Sequence, residues 1–157
     1  MIKICVSGSE GKMGSRIIDL AKEDPELEVV AGFDAGGNAE LGIEKCECLI
    51  DFTAPKATME HLALCEKLKK SIVIGTTGLS EEEKAKIKEA SGHIPVVLSP
   101  NMSVGVNLLF KLIGEASKVL GEEYDVNIVE AHHAEKKDAP SGTAKEMARI
   151  IKSVRSG

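Results

Sequence analysis

Short apolar runs alternate with longer amphipathic stretches along most of this chain, and this alternation constrains the fold more than any other feature. The apolar runs predict five strands in the first hundred residues, at 2–6, 28–33, 48–52, 72–74 and 96–98. Strands that alternate with helices are typical of a mainly parallel sheet with helices on both faces. Because these runs are almost continuously apolar, both faces of the sheet should be covered. The sequence therefore predicts a doubly wound α/β fold.

The stretches between these strands carry helix signals. Apolar residues recur at helical spacing over 12–24 and 55–70, and Ser80 and Glu83 form a capping box that begins another helix. Beyond residue 100 we expect a long helix at 103–120, a sixth strand at 126–131, a polar loop at 132–140 and a last helix at 141–154. The segment 34–47 is rich in Gly and Glu and predicts no ordinary crossover helix.

Composition excludes several classes of partner. Aromatic residues make up 3% of the 157 residues and the net charge is −5, whereas nucleic-acid binding needs an excess of Lys and Arg. Cys46 and Cys48 lack the paired spacing of a zinc site, so no metal is predicted. We expect no membrane span, because prolines and asparagines interrupt the longest uncharged segment, 94–110. With no visible signal peptide, a cytoplasmic location is expected.

A glycine-rich turn follows the first strand. Gly8, Gly11 and Gly14 form GxxGxxG, a variant of the dinucleotide fingerprint, between a predicted strand and a predicted helix. Gly8 permits a tight turn, Gly11 lets a pyrophosphate approach the backbone, and Gly14 lets helix and strand pack closely. The absence of Gly-Lys-Ser/Thr excludes a P-loop. The alternative is a βα turn that binds no ligand, but the context favours a Rossmann-like nucleotide site.

Asp34 supplies the second half of this fingerprint. It follows the second strand, 20 residues beyond Gly14, where a carboxylate accepts hydrogen bonds from the adenosine ribose. A carboxylate repels a 2′-phosphate, and the next residue is Ala35 rather than an arginine. The sequence therefore predicts that NADH is preferred over NADPH. NADPH remains possible, because Lys12 could partly compensate.

A second chemical motif leads from the sixth predicted strand into the last helix. His132, His133 and Lys136 offer proton donors, and Ser141-Gly142-Thr143 begins a helix whose free N–H groups could hold a carboxylate. The alternative is a solvated charged loop, since adjacent histidines in an extended chain point to opposite sides. The residues alone leave both interpretations open.

The motif at 132–144, HHxxKxDAPSGTA, resembles the signature of the dihydrodipicolinate reductase (4-hydroxy-tetrahydrodipicolinate reductase) family of the diaminopimelate–lysine pathway. Four further stretches agree with that family: the loop 8–14, Asp-Phe-Thr at 51–53, Gly-Thr-Thr-Gly at 75–78 and Asn-Met-Ser-Val-Gly-Val-Asn at 101–107. The resemblance covers essentially the whole chain. It implies hydride transfer from NAD(P)H to a cyclic dicarboxylate in a homo-oligomer, a tetramer in the family.

The resemblance also implies roles for individual residues. His132 would be the catalytic proton donor, assisted by Lys136. The substrate dicarboxylate would be bound by His133, Gly142 and Thr143. The cofactor would be bound by residues at the ends of strands: Gly8, Ser9, Glu10, Gly11, Lys12, Met13, Asp34, Gly75, Thr76, Thr77, Ser99, Pro100, Asn101 and Met102.

Two departures from the family pattern affect these expectations. The family's usual arginine after the ribose-binding acid is Ala35 here. Family members also continue beyond the position of Gly157, so we expect a dinucleotide-binding domain at 1–103 followed by an incomplete α+β substrate domain at 104–157. The main hypothesis is a reductase, and the alternative is a nucleotide-binding module of the same ancestry with impaired catalysis. A short-chain dehydrogenase is disfavoured, because the one tyrosine, Tyr124, is followed four residues later by Ile128 and not by lysine.

Overall fold

A five-stranded, fully parallel sheet forms the first part of the protein in a computed structural model that describes residues 1–132 and 139–155. The strands are β1 (Ile2–Ser7), β2 (Leu27–Phe33), β3 (Cys48–Asp51), β4 (Ser71–Ile74) and β5 (Val96–Leu98). Their spatial order is β2-β1-β3-β4-β5. All five predicted strands are confirmed, and so is the doubly wound, Rossmann-like α/β class.

The described residues also form six α-helices. They are α1 (Lys12–Glu23), α2 (Ala39–Lys45), α3 (Pro55–Leu68), α4 (Glu81–Ala90), α5 (Val104–Leu120) and α6 (Gly142–Arg155). Helix α2 corrects the expectation that 34–47 holds no crossover helix. Seven residues suffice because the Asn38 side chain accepts a hydrogen bond from the Leu41 N–H, and Ile43 is fully buried.

The two faces of the sheet carry different helices. Cys5 and Phe33 belong to the main apolar core, which also contains residues of α2, α3 and α4. Neighbouring strand residues point to opposite faces, so Gly32 lies on the other side. A Cβ atom on Gly32 would lie 3.7 Å from Cδ1 of Ile18, in α1. Helix α1 therefore covers the face opposite to the main core.

The chain divides into two compact units, Met1–Ser99 and Pro100–Gly157. The sheet and α1 to α4 belong to the first unit, and the predicted boundary after residue 103 stays a prediction. In the second unit α5 contacts α6, and a Cβ atom on Gly114 would lie 3.4 Å from Cγ2 of Ile150. Within the described residues, no helix is long and apolar enough to cross a membrane.

The predicted sixth strand is a correction. Residues 126–131 have no strand structure, and the side chain of Val129 is 93% exposed. The β-branched pattern was consistent with a strand, but a strand exists only where its N–H and C=O groups find a neighbouring strand. Such a neighbour is absent from the part of the second unit that the structure describes.

Candidate functional site

The strand order reverses at the middle of the sheet. From β1 the chain goes first to β2 on one side and then to β3 on the other. In an open parallel sheet, this reversal leaves a crevice at the carboxyl ends of the two diverging strands, where ligands bind. Here the crevice lies beyond Ser7 and Asp51, the last residues of β1 and β3.

The glycine-rich loop at this crevice is tightly turned. Gly8 has a φ of +75°, a value that favours glycine, and its N–H donates to the Phe33 carbonyl at 2.9 Å. A Cβ atom on Gly14 would lie only 2.0 Å from the Gly8 carbonyl oxygen. Gly14 therefore lets α1 pack closely against the loop that follows β1, whereas its predicted role in the packing of helix on strand stays a prediction.

The start of α1 fits an anionic group. Gly11 is the N-cap residue, no side chain in the described part of the chain caps this end, and the first turn contains no acidic residue. The first N–H groups of such a helix have no partner within the helix, and the helix dipole adds partial positive charge. The glycines and the uncapped helix end are therefore compatible with the pyrophosphate of a dinucleotide.

Asp34 lies half-buried beside this loop and is already oriented. Its Oδ2 accepts hydrogen bonds from the Ser9 hydroxyl at 2.5 Å and from the Glu10 N–H at 3.0 Å. Among the described residues, nothing donates to Oδ1. The role of Ser9 in orienting the carboxylate was not predicted, because it depends on two loops that only the fold brings together.

The segment 75–77 after β4 has one buried and one exposed threonine. The Gly75 N–H donates to the Asp51 carbonyl at 2.8 Å, and a Cβ atom on Gly75 would lie 2.0 Å from the Phe52 ring. The Thr76 side chain is buried, whereas Thr77 is exposed. A ligand at this edge would therefore meet the backbone of Thr76 rather than its hydroxyl.

Beneath both loops lies a buried polar cluster that the sequence analysis did not single out. Asp51 Oδ2 accepts from His61 Nδ1 at 2.7 Å, and Asp51 Oδ1 accepts from the Thr53 hydroxyl at 2.6 Å. Thr58 and Thr76 complete this cluster, which we call the Asp51 cluster. The sequence signals for it were the Asp-Phe-Thr and Gly-Thr-Thr-Gly motifs, whereas no motif marked His61, which comes from the middle of α3.

In the second unit, Glu130 connects the candidate proton donor to the start of α6. Its Oε2 accepts from His132 Nε2 at 2.8 Å and from the Ser141 hydroxyl at 2.5 Å, and its Oε1 accepts from the Ser141 N–H at 2.9 Å. These hydrogen bonds lower the pKa of Glu130 to about 2, and the one from His132 has the largest effect. The Ser141 hydroxyl in turn accepts from the Ala144 N–H at 3.1 Å and so caps α6. The sequence analysis assigned Glu130 no role.

The remaining predicted site residues lie in different parts of the chain. Ser99 ends the first unit, where its N–H donates to the Ile74 carbonyl at 3.1 Å. Pro100, Asn101 and Met102 begin the second unit, and Asn101 Oδ1 accepts from the Ser103 N–H at 2.9 Å. Gly142 is exposed and Thr143 half-buried in the first turn of α6. His133 and Lys136 lie outside the described residues.

The cysteines lie buried or half-buried, and a hydrogen bond with Cys5 lowers the pKa of the Cys46 thiol. All four are free, and burial raises the pKa of Cys48 to about 11 and of Cys65 to about 12. In the described ranges, no three His, Cys, Asp or Glu side chains are grouped so that they could hold a metal ion. The candidate groups in the described ranges are the crevice of the first unit and the Glu130–His132 pair of the second.

Comparison with known sequences connects both units to one family. A family model described as dihydrodipicolinate reductase, N-terminus, matches residues 2–102, and one described as dihydrodipicolinate reductase, C-terminus, matches residues 105–157. The 4-hydroxy-tetrahydrodipicolinate reductase of Citrifermentans bemidjiense is 45% identical over 98% of this chain and 66% of its own length. That of Geobacter sulfurreducens is 47% identical over 96% of this chain and 65% of its own length. The chain thus spans just under two thirds of these relatives.

A solved structure agrees with this result. The dipicolinate-bound dihydrodipicolinate reductase from Paenisporosarcina sp. TG-14 superimposes with a TM-score of 0.82 at 30% sequence identity. The superposition covers 99% of this chain and 67% of that structure. The similarity therefore extends over both units of the chain.

Proposed function

Since the chain belongs to the dihydrodipicolinate reductase family, we propose that it transfers a hydride from NAD(P)H to dihydrodipicolinate or 4-hydroxy-tetrahydrodipicolinate. The product would be tetrahydrodipicolinate, in the diaminopimelate–lysine pathway. The observation that carries the proposal is the crevice, where the glycine loop, the uncapped start of α1 and an oriented Asp34 lie at one sheet edge.

The first unit would hold the cofactor, which supplies the hydride when bound. Backbone N–H groups of residues 8–13 would bind the pyrophosphate, and the loop 75–77 would contact the nicotinamide ribose region. Residues 99–102 would present backbone groups to the nicotinamide. The tight turn at Gly8 and the close approach of Gly14 support this assignment, because they hold the loop backbone in one shape.

Asp34 supports a preference for NADH. Ser9 and the Glu10 N–H fix Oδ2, and Oδ1 is left to accept a ribose hydroxyl. A 2′-phosphate at this position would meet a carboxylate with no arginine after it, since residue 35 is alanine. We therefore propose NADH as the preferred cofactor and NADPH as a weaker one.

The second unit would bind the substrate and move a proton. His132 would donate the proton that quenches negative charge on the reduced ring, with Lys136 assisting. The N–H groups of Gly142 and Thr143, at the start of α6, would bind a substrate carboxylate together with His133. The structural relative's bound dipicolinate is itself a planar dicarboxylate, which makes dipicolinate a suitable probe for this site.

The direct test is a reductase assay of this chain. NADH and NADPH oxidation would be followed while dihydrodipicolinate is generated in the cuvette by its synthase. We expect turnover with both cofactors, faster with NADH, and loss of turnover in a His132→Ala, Lys136→Ala double variant. NADH binding without turnover would instead support the alternative, a nucleotide-binding module with impaired catalysis.

We also propose that the protein is a homo-oligomer in the cytoplasm. Large apolar side chains of α5 are exposed, including Val104 at 85% and Leu112 at 56%. Such side chains on one element are typical of a surface that another chain covers. The four free cysteines are consistent with a reducing compartment.

A further inference from the structure

Asp51 is a fully buried carboxylate for which the proposed reaction has no use. It ends β3, a strand in the middle of the sheet, and its side chain is 0% exposed. Burying a carboxylate is costly unless hydrogen-bond donors replace the lost water. Asp51 has such donors in His61 and Thr53, at 2.7 and 2.6 Å. These contacts keep the carboxylate in one position.

A second layer of hydroxyl groups extends the cluster to β4. Thr76, just after β4, donates to Asp51 Oδ1 at 3.3 Å and accepts from the Thr58 hydroxyl at 2.8 Å. The Thr76 oxygen also accepts from the Thr53 N–H at 3.0 Å. The segments that follow β3 and β4 are thus joined through side chains as well as through the sheet.

The same cluster touches both loops that would bind the cofactor. Thr53 lies directly under the glycine loop, since a Cβ atom on Gly8 would be 3.1 Å from its Cγ2. The Gly75 N–H is bonded to the main-chain carbonyl of Asp51 itself at 2.8 Å. Any shift of Asp51 would therefore move the support of both loops.

We propose that Asp51 is a positioning residue that holds the glycine loop and the 75–77 loop in the shape that binds a dinucleotide. It acts through Thr53 and Thr76, and His61 donates a hydrogen bond to the buried carboxylate. This inference rests on the proposed function. Its physical basis is preorganisation: loops already fixed in their binding shape lose less conformational entropy when the ligand binds.

The test compares Asp51→Asn with a variant that damages only the apolar core. In Asp51→Asn an amide NH2 replaces one carboxylate oxygen, so His61 or the threonine hydroxyls lose an acceptor. We expect the Kd for NADH, measured by fluorescence titration, to rise by about tenfold or more. Leu62→Ala is the matched control, since Leu62 neighbours His61 on α3 and is 2% exposed in the core. It should lower Tm while the Kd stays within about twofold.

Hydrogen exchange adds a readout that needs no cofactor. In Asp51→Asn the Gly8 and Gly75 amides should exchange at least about tenfold faster than in the wild type. In Leu62→Ala the exchange rates of these two amides should increase no more than those of other amides in the sheet. If Asp51→Asn does not fold, Thr53→Val and Thr53→Ser replace it. The valine variant should bind NADH weakly, and the serine variant, which keeps the hydroxyl, should bind it normally.

The outcomes separate the two proposals. If the wild-type chain binds neither NADH nor NADPH, the proposed function is overturned and this inference with it. If the wild type binds NADH and Asp51→Asn binds equally well, only the positioning role of Asp51 is overturned. The same follows if Leu62→Ala weakens NADH binding as much as Asp51→Asn does.

Discussion

Gly14 shows how little room a single residue has under the glycine loop. A methyl group there would lie 2.0 Å from the Gly8 carbonyl oxygen. Because this oxygen belongs to the backbone, it cannot move aside as the end of a flexible side chain could. We expect Gly14→Ala to lower the free energy of unfolding by at least about 1–3 kcal/mol, measured by urea denaturation. Gly105→Ala is the control, because the nearest atom is 3.9 Å away and alanine favours a helix. It should raise stability by about 0.5–1 kcal/mol; equal stability of the two variants would contradict the packing argument.

Glu130 gives the protein an acid-sensitive contact. Its pKa is about 2 in the folded state, against an ordinary value of 4.5, because His132 and Ser141 donate to the ionised form. A lowered pKa contributes stability that is complete above pH 4.5 and is lost as the pH falls from 4.5 towards 2. We expect Glu130→Gln to flatten the decrease of Tm over this interval. Glu122→Gln, a change at an exposed residue of the same unit, should leave the slope of Tm against pH as in the wild type. If Glu130→Gln also leaves this slope unchanged, the contact does not contribute to stability.

The local structure around a residue could be predicted from its neighbours in sequence, whereas contacts between residues distant in sequence could not. Gly8, Gly14 and Asp34 carry a spacing that is informative by itself, because a turn between strand and helix is a local structure. The roles of Asp51 and Glu130 arise from His61 and Ser141, which reach them only in the folded chain. No local pattern distinguishes such a carboxylate from a solvated one.

At the scale of whole elements, helix α4 has the strongest local start signal. The Ser80 hydroxyl accepts from the Glu83 N–H at 3.2 Å, and the Ser80 N–H donates to the Glu83 carboxylate at 2.7 Å. We expect Ser80→Ala to cost about 1 kcal/mol, since it removes this cap. Ser91→Ala, at the other end of the same helix, should cost less than about 0.5 kcal/mol. Urea denaturation measures the free energy of unfolding of both variants. If Ser80→Ala and Ser91→Ala lower it equally, the capping box does not stabilise α4.

Elements were predicted well where their own residues decide the structure. The five strands and α4 follow from apolar runs and the capping box. Helix α2 was missed because its seven residues are too few for a recognisable period, and its stability comes from burying Ile43 against the sheet. The expected strand at 126–131 is wrong for the complementary reason, since strand structure needs a partner that β-branched residues cannot supply alone.

In the part of the chain that the structure describes, α5 has exposed apolar side chains, and a homo-oligomer would cover them. We expect light scattering coupled to size exclusion to give a mass that is a multiple of the 16.7 kDa chain. Leu112→Glu should shift this mass towards one chain, because it places a charge where Leu112 is 56% exposed. Lys111→Glu, on the same helix, should leave the mass unchanged. A wild-type mass of one chain would contradict the oligomer.

The order of the strands also determines when the nucleotide crevice comes into being. Strand β1 is synthesised first but lies inside the sheet. The backbone groups on its β3 side therefore stay unpaired until β3 forms and Ile4 pairs with Cys48. A nascent chain that has emerged only as far as β2 contains the glycine loop but lacks the residues that pack beneath it, because Asp51 and Thr53 have not yet been synthesised. Since non-local parallel pairing is a slow step in folding, we expect the crevice to form only after β3 has been synthesised and has paired with β1.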